Sequence, residues 1–320
     1  MRSFILLFAF APFITFSQNT DSEFFLKDSL IIRESNPSKG FNNSYILFIP
    51  KGTPKGKLTY LLVEPNNTGK TSDSLRVHKK SAIELASTSS VGNNISTNLK
   101  IPLLVPIFPR PNSKPLVYTH ALDRDVIFEK DKKLERLDLQ LLAMIKNAQQ
   151  LLKDNEVLIY NKIFMNGFSA SATFTNRFLF IHPEKIKAAA MGGLNGELML
   201  PLKMYKNKKF NYPLGVNDFK STFNKECNLI TYKAIPQYIY MGEKDQNDAV
   251  QFDDAYDNLE RNTINTTLGN KVQERWINCQ KIYKEESISV DFVTYEKVGH
   301  WTTSEVNLDV TMFFLKYMNN

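Results

Sequence analysis

The chain has 320 residues, long enough to bury a hydrophobic core unaided, and its 42% apolar and 23% charged residues are ordinary globular usage, which excludes a disordered or fibrous protein. Forty Lys and Arg against 33 Asp and Glu give a net charge of +7. The lysines are scattered, so the excess describes a basic surface and excludes a dedicated nucleic-acid groove.

Met1-Arg2-Ser3, an apolar run from Phe4 to Phe16 and small residues ahead of Gln18 have the pattern of a secretory signal cleaved after Ser17. The run is shorter than the roughly 20 residues that span a bilayer. No later segment is long and apolar enough either, so no membrane span is expected. Residues 18–320 then read as one exported domain, periplasmic or secreted. Export makes a Cys227–Cys279 disulfide chemically possible, two free buried thiols being the alternative. No Cys-x-x-Cys spacing suggests a metal, and no cofactor is expected.

Tyr45 to Ile49 is a short β run closed by Pro50, and Thr59 to Val63 is a near-continuous apolar strand of the kind covered on both faces. His78 to Ala86 reads as a helix with His78 exposed at its start, and Ile101 to Phe108 as another buried strand. Leu137, Leu141, Leu142, Ile145, Ala148 and Leu152 recur at helical spacing over about five turns. Strand Ile163 to Met165, helix Ala170 to Ile181 and strand Ala188 to Met191 follow. After them the rhythm fails until strand Gln237 to Met241. Asp253 to Lys284 is mostly helical, Val290 to Tyr295 a strand, and Val306 to Met318 a closing helix. Such alternation implies a mostly parallel sheet with helices on both faces.

The arrhythmic stretch 195–232 carries too many large apolar groups for a solvated loop. A cap over a pocket is the expected role, with Tyr205 and Phe210 contacting substrate, and a segment that only pads the side of the sheet is the alternative. The lysines around them, Lys203, Lys206, Lys208 and Lys209, form a solvated loop or a contact for an acidic ligand.

Gly167-Phe168-Ser169-Ala170-Ser171 lies between an apolar strand and a helix, the context of a nucleophile elbow, with Ser171 where a second glycine is usual. A serine hydroxyl needs a base, and the base an orienting carboxylate. His300, in Gly299-His300-Trp301, follows the last strand; Asp245 follows the strand before it, with Asp248 as the alternative acid. The order Ser, acid, His, each at a strand's C-terminal end, makes coincidence a poor explanation.

On these residues the chain resembles the α/β-hydrolase superfamily from Tyr45 onward, in particular secreted esterases and depolymerases of the feruloyl-esterase and polyhydroxybutyrate-depolymerase kind. The resemblance implies an α/β-hydrolase fold and a triad of Ser169, Asp245 and His300. Where the superfamily often has His-Gly-Gly, this chain has Glu64-Pro65-Asn66-Asn67-Thr68-Gly69. Backbone N–H groups of Asn66 or Asn67 would then complete an oxyanion hole with that of Ala170. Arg110, His120 and Trp301 are further candidates to line the pocket. A metal cluster of His120, Asp123 and Asp125 is the rival of a hydrogen-bonded loop there. His182 reads as a helix exit.

The expected activity is that of a secreted serine hydrolase cleaving a small or polymeric ester through an acyl-enzyme at Ser169. The alternatives are a non-catalytic binding protein on the same fold and a small serine peptidase.

Overall fold

The computed structural model describes residues 23–88 and 90–319. The signal expected at 1–17 lies outside the described residues. Eight strands form the central sheet: β1 Ser29–Arg33, β2 Tyr45–Ile49, β3 Leu62–Val63, β4 Leu103–Pro106, β5 Ile163–Phe168, β6 Ile186–Gly192, β7 Gln237–Gly242 and β8 Val290–Tyr295. Their spatial order is β1-β2-β4-β3-β5-β6-β7-β8. β2 runs antiparallel to both its neighbours, and every other pairing is parallel.

The strands are continuously apolar because both faces are covered. Tyr45, Leu47, Leu104, Met165, Met191 and Ile239 point into one core; Ile46, Phe48, Leu103, Phe164, Ala190 and Tyr238 point into the other. This is the period of two of a pleated strand. The second core is closed by helices α1 Leu75–Ser87, α2 Val91–Leu99 and, at the end of the chain, Ser304–Met318. The first and larger core is closed by α3 Arg124–Phe128, α4 Leu137–Asp154, α5 Ala170–Ile181, α6 Phe219–Phe223, α7 Leu229–Ala234, α8 Asn258–Thr267 and α9 Val272–Glu285. The Ser304–Met318 helix is α10.

The order reverses at β3. β4, reached through α1 and α2, lies on one side of it, and β5, reached through α3 and α4, on the other. Open α/β sheets bind ligands beyond the carboxyl ends of strands at such a switch point, and the expected site residues cluster at that edge.

Three expectations need correction. The extended run at Thr59 to Val63 changes partner midway. Leu58–Thr59 pairs with Leu158–Ile159, and only Leu62–Val63 joins the main sheet. His78 is fully buried, between the Thr68 hydroxyl at Nδ1 and the Ser72 carbonyl at Nε2. Segment 195–232 holds a hairpin of Met204–Tyr205 and Lys208–Lys209 besides α6 and α7. Its apolar groups pack against α5, α9 and the loop before α3. The Met199 amide donates to Asn176, Tyr283 donates to the Met199 carbonyl, the Tyr212 hydroxyl donates to the Leu122 carbonyl, and Tyr232 stacks on Phe180. Such packing serves the larger core and not a roof over Ser169.

Cys227 and Cys279 are free, and burial pushes both thiols up to about 12. Among the described residues no helix is long and apolar enough to cross a membrane.

Candidate active site

β5 ends at Phe168 and α5 begins at Ala170, which leaves Ser169 alone in the turn at φ 61° and ψ −129°. A side chain at positive φ is strained and persists only where its surroundings enforce it. The Ser169 amide donates to the Gly192 carbonyl at 2.8 Å, and the Ser169 carbonyl accepts from Ala172 at 3.0 Å and Thr173 at 3.2 Å. Ser171 Oγ lies 2.9 Å from both the Phe168 amide and its carbonyl, so a hydroxyl pins the turn where a glycine would only have made room. Gly167 has no alternative, since a Cβ there would sit 2.4 Å from the Ser171 carbonyl oxygen.

The loop after β8 carries His300. Its Nε2 is 2.9 Å from Ser169 Oγ, and its Nδ1 is 2.9 Å from Asp245 Oδ2. The carboxylate fixes the tautomer: Nδ1–H donates to Asp245 and leaves Nε2 to accept from the serine hydroxyl. Asp245 is held in turn, with its Oδ1 accepting from the Asn247 amide and its carbonyl from Gln273. Its side chain is 1% exposed against 25% for His300. The acid and base loops touch through Gly242, where a Cβ would lie 2.4 Å from the carbonyl oxygens of Val298 and Gly299. Asp248 is turned elsewhere, onto the fully buried Arg275 guanidinium. The structure thus pairs Asp245, and not Asp248, with the imidazole.

The loop after β3 faces the elbow. The Asn66 side chain is fully buried and exchanges two hydrogen bonds with the backbone of Phe108. The Asn67 side chain donates to the Phe168 carbonyl at 3.2 Å. Among the described residues the backbone N–H groups of Asn66 and Asn67 have no acceptor. The first N–H of α5, that of Ala170, has none within its helix, and Ser169 does not cap it.

His120 does not line the pocket. It is fully buried behind this loop, its Nδ1 accepting from the Thr68 amide and its Nε2–H donating to the Phe108 carbonyl. Burial pushes its pKa down to about 3, so the ring is neutral. Asp123, which accepts from the Tyr118 and Val126 amides, is likewise spent on the backbone.

Arg110 pairs with Asp254 and lies 3.8 Å from the centre of the Tyr118 ring, one residue removed from the cavity at Ser169. Trp301 is 56% exposed and packs over Gly299. Tyr205 packs on Phe210, which is buried in the larger core, and of segment 195–232 only Asn195 lines that cavity. The Lys208–Lys209 strand is exposed, and Lys206 donates to the Thr267 carbonyl.

The sequence reading missed two parts of the site. Thr173 and Arg177 follow Ser169 by four and eight positions, and so face the same cavity from one side of α5. That spacing was the available signal. Glu64 is buried where α2 meets β5; it accepts from Asn166 at 2.8 Å, and a Cβ on Gly92 would lie 1.8 Å from its Oε2. Burial raises its pKa to about 7 against the hydrogen bonds of Asn166 and Gly92.

The folded pKa of Glu64 therefore exceeds the unfolded one. The native state binds the extra proton between about pH 4.5 and 7, and stability falls as pH rises through that window. Glu64→Gln is expected to remove this fall. Relative to wild type, the variant should gain up to about 3 kcal/mol between pH 4.5 and 8 in denaturant titrations. A difference that does not change with pH would show that Glu64 has the same pKa in the folded and unfolded states.

A poly(aspartic acid) hydrolase from Sphingomonas sp. KT-1 superposes with a TM-score of 0.57 at 13% identity, covering 91% of this chain and 98% of its own. The chain has the α/β-hydrolase fold. The same fold is shared with a poly(3-hydroxybutyrate) depolymerase from Bordetella parapertussis, at TM-score 0.56 and 11% identity over 91% of this chain and 90% of that one. An S-formylglutathione hydrolase from Agrobacterium tumefaciens gives 0.52 and 10% over 91% and 94%. No family model and no curated protein matches the sequence. Within the α/β-hydrolase fold, Ser169, Asp245 and His300 stand at the carboxyl ends of β5, β7 and β8.

Proposed function

We propose that this chain is a serine hydrolase that cleaves a carboxylic ester through an acyl-enzyme on Ser169, with His300 as base and acid and Asp245 as the orienting carboxylate. The observation that carries the reading is the unbroken relay from Ser169 Oγ through His300 to Asp245, with both contacts at 2.9 Å and the serine held at positive φ. That the three structural neighbours are named as hydrolytic enzymes agrees with it.

Ser169 Oγ attacks the ester carbonyl carbon while its proton passes to His300 Nε2, and Asp245 stabilises the imidazolium that forms. The carbonyl oxygen takes up the negative charge against the Ala170 N–H and an N–H of Asn66 or Asn67. Collapse breaks the C–O bond to the alcohol, which leaves with the proton from Nε2. A water then gives its proton to the same nitrogen and attacks the acyl-enzyme, releasing the acid and restoring Ser169.

Purified protein is expected to turn over phenyl esters of short acids and to leave the matching anilides intact. Cleavage of the anilides at comparable kcat/KM would make it a peptidase, and no turnover of either would make it a binding protein. We also propose export, on the pattern of residues 1–17. N-terminal sequencing of the secreted or periplasmic protein should begin at Gln18, and a chain beginning at Met1 would refute it.

A further inference from the structure

A cavity of about 20 Å³ adjoins Ser169, bounded by the first turns of α5 and by loop residues around 118–121 and 247–256. That is room for one water molecule. Its walls are polar and under-used. Thr173 Oγ1 is buried with no partner. The Tyr118 hydroxyl makes no hydrogen bond to the described residues, its ring lying beneath Arg110. Arg177 is fully buried and gives one N–H to the Ala121 carbonyl and one to the Tyr256 hydroxyl. Among the described residues no carboxylate pairs with it directly. Spare hydrogen-bonding capacity around a space for one oxygen atom costs stability unless something fills it.

Under the acyl-enzyme reading, which this inference rests on and deepens, the leaving alcohol must depart past His300 Nε2. His300 does not line this cavity, whereas Ser169 and Ala170 do. The cavity therefore faces the part of the substrate that stays on the serine. It is too small for a chain, and only a substituent on the carbon next to the scissile carbonyl reaches it.

We propose that it binds a hydroxyl there, so that the preferred substrate is an ester of a short 2-hydroxy acid. A hydroxyl fits because it both accepts, from Arg177 or Tyr118, and donates, to Thr173 Oγ1. A carboxylate fits less well, since the Tyr256 hydroxyl already bridges the Arg177 guanidinium to Glu197.

Phenyl glycolate and phenyl propionate differ only by OH for CH₃. The wild-type kcat/KM ratio should favour glycolate by about tenfold or more beyond the ratio for hydroxide-catalysed hydrolysis, which cancels the intrinsic activation by the α-oxygen. Thr173→Val and Tyr118→Phe should each move the ratio toward the hydroxide value. Neither should lower Tm, because neither hydroxyl has a hydrogen bond to lose, and Thr173→Ser should keep the preference. A wild-type ratio equal to the hydroxide value, ratios unchanged in both variants, or faster turnover of phenyl hydrogen malonate than of glycolate would each overturn the inference while leaving the esterase intact. No turnover of any phenyl ester would instead fail the esterase reading, and this inference would fall with it.

Discussion

Ser169→Ala is expected to lower kcat by on the order of 10⁴ to 10⁶ with the fold unchanged. Alanine keeps the Cβ, and with it the same backbone at φ 61°, so the variant removes the attacking oxygen and the hydrogen bond to His300 while leaving the elbow as it is. Ser171→Ala removes a different hydroxyl, the one between the Phe168 amide and carbonyl. It loosens the turn without removing a reacting atom, and a loss of no more than about 10²-fold is expected, the scale of a small misplacement. Steady-state kinetics on a phenyl ester separate the two. A dead Ser171→Ala beside an active Ser169→Ala would move the nucleophile.

Asp245→Asn is expected to cost on the order of 10⁴ in kcat at neutral pH. Asparagine can turn its amide toward His300 Nδ1, which favours the tautomer protonated at Nε2, and that nitrogen then cannot accept from Ser169. Asp248→Asn should behave in the opposite way. Asp248 neutralises the buried Arg275, which also holds the Asn195 and Gly269 carbonyls, so its replacement should cost about 2 kcal/mol of stability and little turnover. If Asp248→Asn were the variant with the larger fall in kcat, the orienting acid would be Asp248.

The strands and the meeting of Ser169, His300 and Asp245 were legible because each leaves a local mark. Continuous apolar runs such as Tyr45 to Ile49 follow from burial on two faces, and the elbow has its own spacing. β1 and α2 left little mark. Ser29–Arg33 is an edge strand with three apolar residues, and Val91–Leu99 is mostly polar, held by the Ser90 cap and by packing of Val91 and Ile95.

That 195–232 packs beside the sheet, the alternative to a cap, has a physical cause. Large apolar side chains announce burial but not the surface they are buried against, and here α5 and α9 supplied it. His78 and His120 were opaque for a related reason, since a histidine holding backbone from inside looks in sequence like one facing a ligand. What places them is the crossing of the β3, β4 and α1 segments, a tertiary fact with no local period.

The relay at Ser169 is tested most directly by covalent labelling of the native protein with a fluorophosphonate, followed by peptide mass spectrometry. One phosphonyl group per chain is expected, on the peptide bearing Ser169, and none in Ser169→Ala. A folded wild-type protein that stays unlabelled, or that carries the adduct on Ser171, would contradict the assignment of Ser169 as nucleophile.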